Sequence, residues 1–365
     1  MPPDTIQTPA PAASFFRQYR AILIIIVLAV FLVLGASLFL PSRHDAALHA
    51  VVTSFNTNDI DGAIVKADQM LAENPDDVAT LITKSLALAQ KGSLGFDETK
   101  YGMQAAAIAE QAITLDPKNS EAYRALAYAK EIQQDYAGAH AAYSVALTLN
   151  PKNALALFGD AHAYDLQGDA VKAETGYRAA LAADQNCYPA HLGLGRIYNA
   201  DGEREKALAE FKLVYLNAPN LHNKAEAAYS VGTLLIAGGD APLARGYLEK
   251  SVAIDPEYPL GWYGLGTVLY IQATATSSLQ ASQRGNLILG SVTALDKAVA
   301  LNPHQSAAYL QLGEALYVVG EKDAALASFK KATEVIPSDI TLSATEKTQM
   351  LRHVADLSAR ITKAK

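Results

Sequence analysis

The chain has 365 residues, half of them hydrophobic and 18% charged, with a mean hydropathy of +0.07, so a long disordered polar chain is excluded. Its 30 Lys and Arg stand against 37 Asp and Glu, a net charge of -7 with no run of like charges, which argues against a protein that coats nucleic acid. One cysteine excludes an internal disulfide framework and any cysteine-based zinc site.

In chain order, residues 1–16 carry Pro, Ala and Thr without periodicity, and a disordered tail is expected over 1–20. Residues 21–40 (AILIIIVLAVFLVLGASLFL) hold no charge. At about 1.5 Å per residue they reach roughly 30 Å, the thickness of a hydrocarbon core, so a single transmembrane helix is expected. Arg17 and Arg20 precede it, whereas Arg43 is offset by Asp45 on the far side. That bias places the N-terminus inside and the body outside the cytoplasm, periplasmic in a bacterium, with a cytosol-facing body as the alternative. A cleavable signal peptide ending near Gly35-Ala36-Ser37 competes. The apolar run continuing through Leu38-Phe39-Leu40 and the Pro-rich tail favour a retained signal anchor.

Beyond the apolar segment, proline recurs at 75, 117, 151, 219, 256, 303 and 337, closing phrases such as LDPKN, LNPKN and IDPEY. Pro117 to Pro151 and Pro303 to Pro337 are each 34 residues, and Pro151 to Pro219 is 68 with Gln185 in the skipped slot. Thirty-four residues hold two helices of about 12 to 14 residues and two short turns, a unit whose apolar faces only its neighbours can bury. The best unit, 120–153, places Tyr123, Leu126 and Ala127 on its first helix, then Ala139, Tyr143, Ala146 and Pro151. Units 188–221 and 306–339 repeat the order. Removing insertions of 8, 3 and 13 residues from 44–339 leaves eight units of 34, with Ala63, Ala105, Ala139, Ala173, Ala207, Ala244, Ser291 and Ala325 at one small position. Turn residues Gly168, Gly202, Gly239 and Gly320 interrupt the periodic runs too early for a coiled coil.

This pattern strongly resembles the tetratricopeptide repeat (TPR) family. The resemblance implies an all-α, right-handed superhelical solenoid over 44–339. It is weakest at the start, where Val51 replaces the small residue and Lys84 and Ser85 occupy slots that prefer Leu and Gly. Past Pro337, Met350, Leu351, Val354, Leu357 and Ile361 recur at spacings of 3 and 4 behind Ser343 and Thr345, which predicts a capping helix within 340–365. Insertions at 92–102 and 273–285 fall between the two helices of their units. They read as loop or helix extensions, or else as a lip over a groove.

In this family the concave wall comes mostly from the first helix of each unit. Carried over by position, the protein-binding groove here takes Arg124, Tyr128, Phe158, His162, Leu192, Arg196, Tyr229, Thr233, Tyr263, Thr267, Tyr270, Leu310, Glu314 and Tyr317. Such an aromatic surface suits an extended peptide or a partner helix. Some relatives clamp a terminal carboxylate with Lys, Asn and Arg. Here Ala125, Gly159, Gly193, Ala227 and Gly264 stand where one clamp Asn belongs, and Tyr128 where another does, which speaks against that recognition.

No metalloprotease, phosphate-loop or hydrolase motif is visible, and Cys187 falls between units without a basic cluster, so no catalytic residue, cofactor or metal is expected. The expected function is a membrane-anchored scaffold or adaptor that binds a protein or peptide in its groove, in envelope biogenesis or complex assembly, and is not itself an enzyme. The alternative is an accessory subunit of an enzyme complex, of transferase or cytochrome-maturation type, with catalysis on another chain. Self-assembly through stacked repeats is a third reading.

Overall fold

A computed structural model describes residues 43–57, 59–93, 98–339 and 342–363. The expected tail and membrane segment, 1–40, lie outside the described residues. Among the described residues every element is helical, and no helix is long and apolar enough to cross a membrane. The chain divides between Ala50 and Val51, and α1 (Arg43–Asn56) runs across the division. In the second unit α2 (Ile60–Glu73) is followed by seven helix pairs: α3 (Val78–Ser93) with α4 (Glu98–Leu115), α5 (Ser120–Ile132) with α6 (Tyr136–Leu149), α7 (Ala154–Leu166) with α8 (Ala170–Ala183), α9 (Tyr188–Ala200) with α10 (Arg204–Asn217), α11 (Leu221–Ala237) with α12 (Ala241–Ile254), α13 (Pro259–Ala275) with α14 (Ala281–Leu301), and α15 (Ser306–Val318) with α16 (Lys322–Val335). A lone helix, α17 (Ala344–Lys363), closes the array.

Local chemistry fixes these boundaries. Asp59, Asp135, Asp169 and Asp240 cap second helices, their carboxylates accepting from Gly62, Gly138, Lys172 and Leu243 N–H groups. Asn119, Asn153 and Asn220 cap first helices. Each such cap is worth about 1 kcal/mol. Between the helices of a pair the chain turns through a left-handed residue: Gly168, Gly202, Gly239 and Gly320 have φ of 80, 78, 81 and 92°. The same slot in the α5–α6 pair holds Gln134 at φ 60°, a conformation that a Cβ disfavours.

The small positions seal the crossings. Ala63, Ala105, Ala139, Ala173, Ala207, Ala244, Ser291 and Ala325 are all fully buried. Where serine replaces alanine or glycine at a crossing, it remains hydrogen-bonded. Ser85 Oγ donates to Ala105 O, Ser251 Oγ to Ala225 O and Ser291 Oγ to Gly266 O, each at 2.8 Å. Ser85 therefore acts as a bonded seam rather than a flaw, and Lys84 reaches Asp68 at 2.6 Å.

Consecutive pairs are also stitched at a constant spacing of 33 residues. Asn153 Nδ2 donates to Ser120 Oγ (3.0 Å), Ser306 Oγ donates to Asp339 Oδ2 (2.6 Å), and His222 Nδ1 meets Asp255 Oδ2 (3.0 Å). Each bond ties the start of one first helix to a residue in the junction beyond the second helix that follows it. Successive first helices, from α3 through α15, contact one another, and successive second helices do not reach comparable contact. A row that touches on one side and stands apart on the other curves toward the touching side, so the first helices form the inner wall.

The two insertions lengthen helices. The first ends α3 at Ser93 and starts α4 at Glu98, with 94–97 outside the described residues, and the second gives a 21-residue α14 behind a short link at 276–280. At the far end Ser343 and Glu346 form a reciprocal cap, Ser343 N–H donating to Glu346 Oε2 (2.8 Å) and Glu346 N–H to Ser343 Oγ (3.3 Å). Val354 and Ile361 of α17 are buried against Phe329 and Ile336, with Met350, Leu351 and Leu357 half-buried beside them.

Candidate partner-binding groove

Wall residues recur on each first helix at a spacing that returns to one face. On α5 these are Glu121, Arg124, Tyr128 and Glu131, and on α7 Leu155, Phe158, His162 and Asp165. Most of the predicted groove side chains are half-buried. Tyr317, at 40% exposure, is the most open of the rings. Leu192 departs from expectation. It is 2% exposed and packs in the apolar core with Tyr177, so its side chain faces the interior of the array and is not available to a ligand.

Polar groups of the wall are tied to one another across repeats. Arg124 Nη2 lies 2.7 Å from Glu121 Oε2, whose other oxygen accepts from Asn153 Nδ2 at 2.6 Å. Arg196 Nη1 donates to Glu226 Oε1 at 2.8 Å. Tyr128 donates to Gln90 Oε1 at 3.0 Å. Glu131, which is buried, meets His162 Nδ1 at 2.7 Å and accepts from Tyr143 at 3.4 Å. The two groove arginines are thus already occupied by carboxylates of their own chain. Glu121, Glu131 and Glu226 were not singled out by sequence position, although each lies in the same register as its predicted neighbours.

Rings pack on one side and face the wall on the other. Phe158 stacks between His162 (centroids 5.6 Å) and Tyr177 (5.8 Å), and Tyr229 meets Tyr258 edge-on at 5.9 Å. Tyr263 and Tyr270 pack beside buried Leu295 and Leu312. Burial pushes the Tyr128 and Tyr229 hydroxyls above their ordinary range, so both stay neutral hydrogen-bonding groups at any working pH.

Two of the glycines in the first helices have a steric cause. A Cβ on Gly159 would stand 2.3 Å from Tyr143 Oη, and one on Gly193 would stand 2.5 Å from the Tyr177 ring. Each glycine lets the large residue of the preceding second helix lie flat on the next first helix. A side chain with a Cβ, asparagine included, would meet these rings at Gly159 and Gly193.

At the N-terminal end the wall opens into a cleft of about 590 Å³. Val52, Val78, Ile82 and Leu86 supply its apolar lining, and Glu121 with Arg124 its polar edge. The cleft was not foreseen, because Val52 and the α3 residues belong to the repeats whose pattern is weakest.

Among the described residues no group of three or more His, Cys, Asp and Glu is placed to hold a metal ion. Cys187 is buried with its Sγ 3.8 Å from Ala154 O, and burial pushes its thiol up to about 11, a poor nucleophile. His140, His162, His191, His222 and His353 are paired with carboxylates, as at His140–Asp160 and His191–Glu210, both 2.6 Å.

With the paired helices, small crossings and wall in place, the comparisons agree with the geometry. A tetratricopeptide repeat family model matches residues 103–154, 131–186 and 281–339. Tetratricopeptide repeats are thus found over 103–186 and 281–339. No curated protein matches it in sequence. Among solved structures, the chain is similar to one in the Cut9-Hcn1 hetero-tetramer of the APC/C, at 14% identity and TM-score 0.64, over 86% of this chain and 56% of that one. It is similar to yeast Tom70 at 14% identity and TM-score 0.51, over 88% of this chain and 65% of that one. It also matches Pseudomonas aeruginosa pilF at 15% identity and TM-score 0.50, over 64% and 97% respectively. The chain therefore spans less than two thirds of the first two proteins, and at these identities the likeness is one of fold.

Proposed function

We propose that this TPR protein is a membrane-tethered scaffold that holds an extended segment of a partner protein along its first-helix wall. The observation that carries the reading is the wall itself. It offers half-buried aromatic rings in one register and an open apolar cleft at its N-terminal end. A rigid preformed wall orders little of itself on binding, so modest contacts add into useful affinity. Tyrosines give large contact area with few rotamers, and a hydrogen bond to Gln90 holds Tyr128 in place. The apolar run 21–40 supplies the tether, with the body outside the cytoplasm and a role in envelope assembly.

Site-specific photocrosslinking from the wall in native membranes tests this. Thr83→Trp fills the cleft, and Tyr229→Ala with Tyr263→Ala strips the rings. Each should reduce crosslinking of the same partner at least roughly tenfold while far-UV helicity stays intact. Unchanged crosslinking in both variants would sink the groove reading. Protease added to spheroplasts of the same strain should digest the body, and protection would reverse the proposed topology.

A further inference from the structure

The charges of the wall from α3 to α15 are unbalanced. Glu121, Glu131, Asp165, Glu226 and Glu314 stand against Arg124 and Arg196. Most are closed from within: Arg124 takes Glu121, Arg196 takes Glu226, Glu131 meets His162, and Asp165 accepts from Tyr177 at 3.0 Å. Glu314 differs. It meets His353 Nε2 of the capping helix at 3.1 Å, and the His353 side chain is 53% exposed.

The surroundings of Glu314 are aromatic. Thr267 Oγ1 donates to Gln311 Oε1 at 2.6 Å, which fixes α13 against α15. Tyr270 lies three residues beyond Thr267, and Glu314 three beyond Gln311, so the ring and the carboxylate come level one helical turn along. The negative charge of Glu314 adds to burial in raising the Tyr263 and Tyr270 hydroxyls, as its nearness requires. Tyr317, 40% exposed, follows Glu314 by three residues on α15.

We propose that Glu314 with Tyr263, Tyr270 and Tyr317 forms a subsite for a basic side chain of the bound segment, arginine above lysine, and that His353 occupies it until the segment arrives. A guanidinium gives a carboxylate two parallel hydrogen bonds and stacks on tyrosine faces, whereas an ammonium does only part of this. The imidazole of His353 is a weaker, exposed substitute on an element outside the wall. The proposal rests on the groove reading for its ligand, but the subsite is testable alone.

The test titrates the full-length protein with Nα-acetyl-arginine amide and with its uncharged isostere, Nα-acetyl-citrulline amide, following tyrosine ring resonances. The arginine derivative should give saturable shifts that the citrulline derivative does not. Glu314→Gln should weaken the response roughly five- to tenfold, and His353→Ala should strengthen it about twofold, with unchanged far-UV helicity and melting temperature in both. Equal shifts from the two amides, or an unchanged response in Glu314→Gln, would overturn the subsite. A selection from random extended peptides separates the two ideas. Peptides lost in Tyr229→Ala/Tyr263→Ala but without arginine enrichment leave the groove standing and remove the subsite. Saturable arginine binding with no enriched peptide keeps the subsite and removes the groove.

Discussion

In the middle of the wall, between α5 and α11, ionisable side chains meet partners from their own chain and become part of the structure. At the C-terminal end, Glu314 occupies the same register position as His162 and Arg196, yet its partner is a half-exposed histidine on a helix outside the wall. Repeat position alone therefore does not tell a ligand contact from an internal brace. What decides is the next repeat: whether it offers a partner at the right height and how far that partner is buried.

The crossings should not share this difference. Ala139→Trp in the middle and Ala325→Trp near the end both strike fully buried seams. Each is expected to lower stability by about 3 kcal/mol or more, read by chemical denaturation, and a mild effect at either site would show that the seams are unequal. The wall should then separate the regions. His162→Ala leaves the carboxyl of Glu131, 4% exposed, with only the Tyr143 hydroxyl at 3.4 Å, and about 2 kcal/mol should be lost. The matching His353→Ala should lose less than about 0.5 kcal/mol, because an exposed pair contributes little. Equal losses would erase the distinction.

A smaller effect sharpens the middle region by itself. Gln134→Gly should raise stability by about 1 kcal/mol, since four other units place glycine in this left-handed slot. The smallest expected effect concerns His191. The Glu210 hydrogen bond raises its pKa above 6.5, so the pair's contribution is complete below about pH 6.5 and is lost as pH rises through the folded-state value. The stability difference between wild type and His191→Gln should be larger at pH 5.5 than at pH 8.5, by less than about 1 kcal/mol. A difference that grows toward alkaline pH would contradict the pairing.

Much of this architecture is legible in the sequence because it follows from period. Proline spacing, caps and alanines mark helices and crossings, and each depends on residues near in sequence or on simple size. The seam at Ser85, which looks irregular as a string of letters, is recovered once its hydroxyl is seen to bond Ala105 O. The site is less legible. A helical period assigns a face, but it does not say whether the neighbouring repeat leaves room there. Leu192 shares the register of Arg124 and Phe158 and is buried all the same. Gly159 and Gly193 look like lost ligand positions and prove to be landing places for tyrosine rings. The bonds that brace the wall between repeats join residues 30 to 44 apart, a distance at which no local pattern in one sequence announces a partner.

The contact between first helices, without its counterpart among second helices, gives the array an asymmetric elasticity. Tighter bending drives touching helices into one another and meets a hard steric stop. Straightening must break the bonds of the wall, from Tyr128–Gln90 to Thr267–Gln311, so it meets a graded resistance. A tensile load between the two ends would accordingly be felt first at the inner surface, where the force reads directly on the residues that would hold a guest.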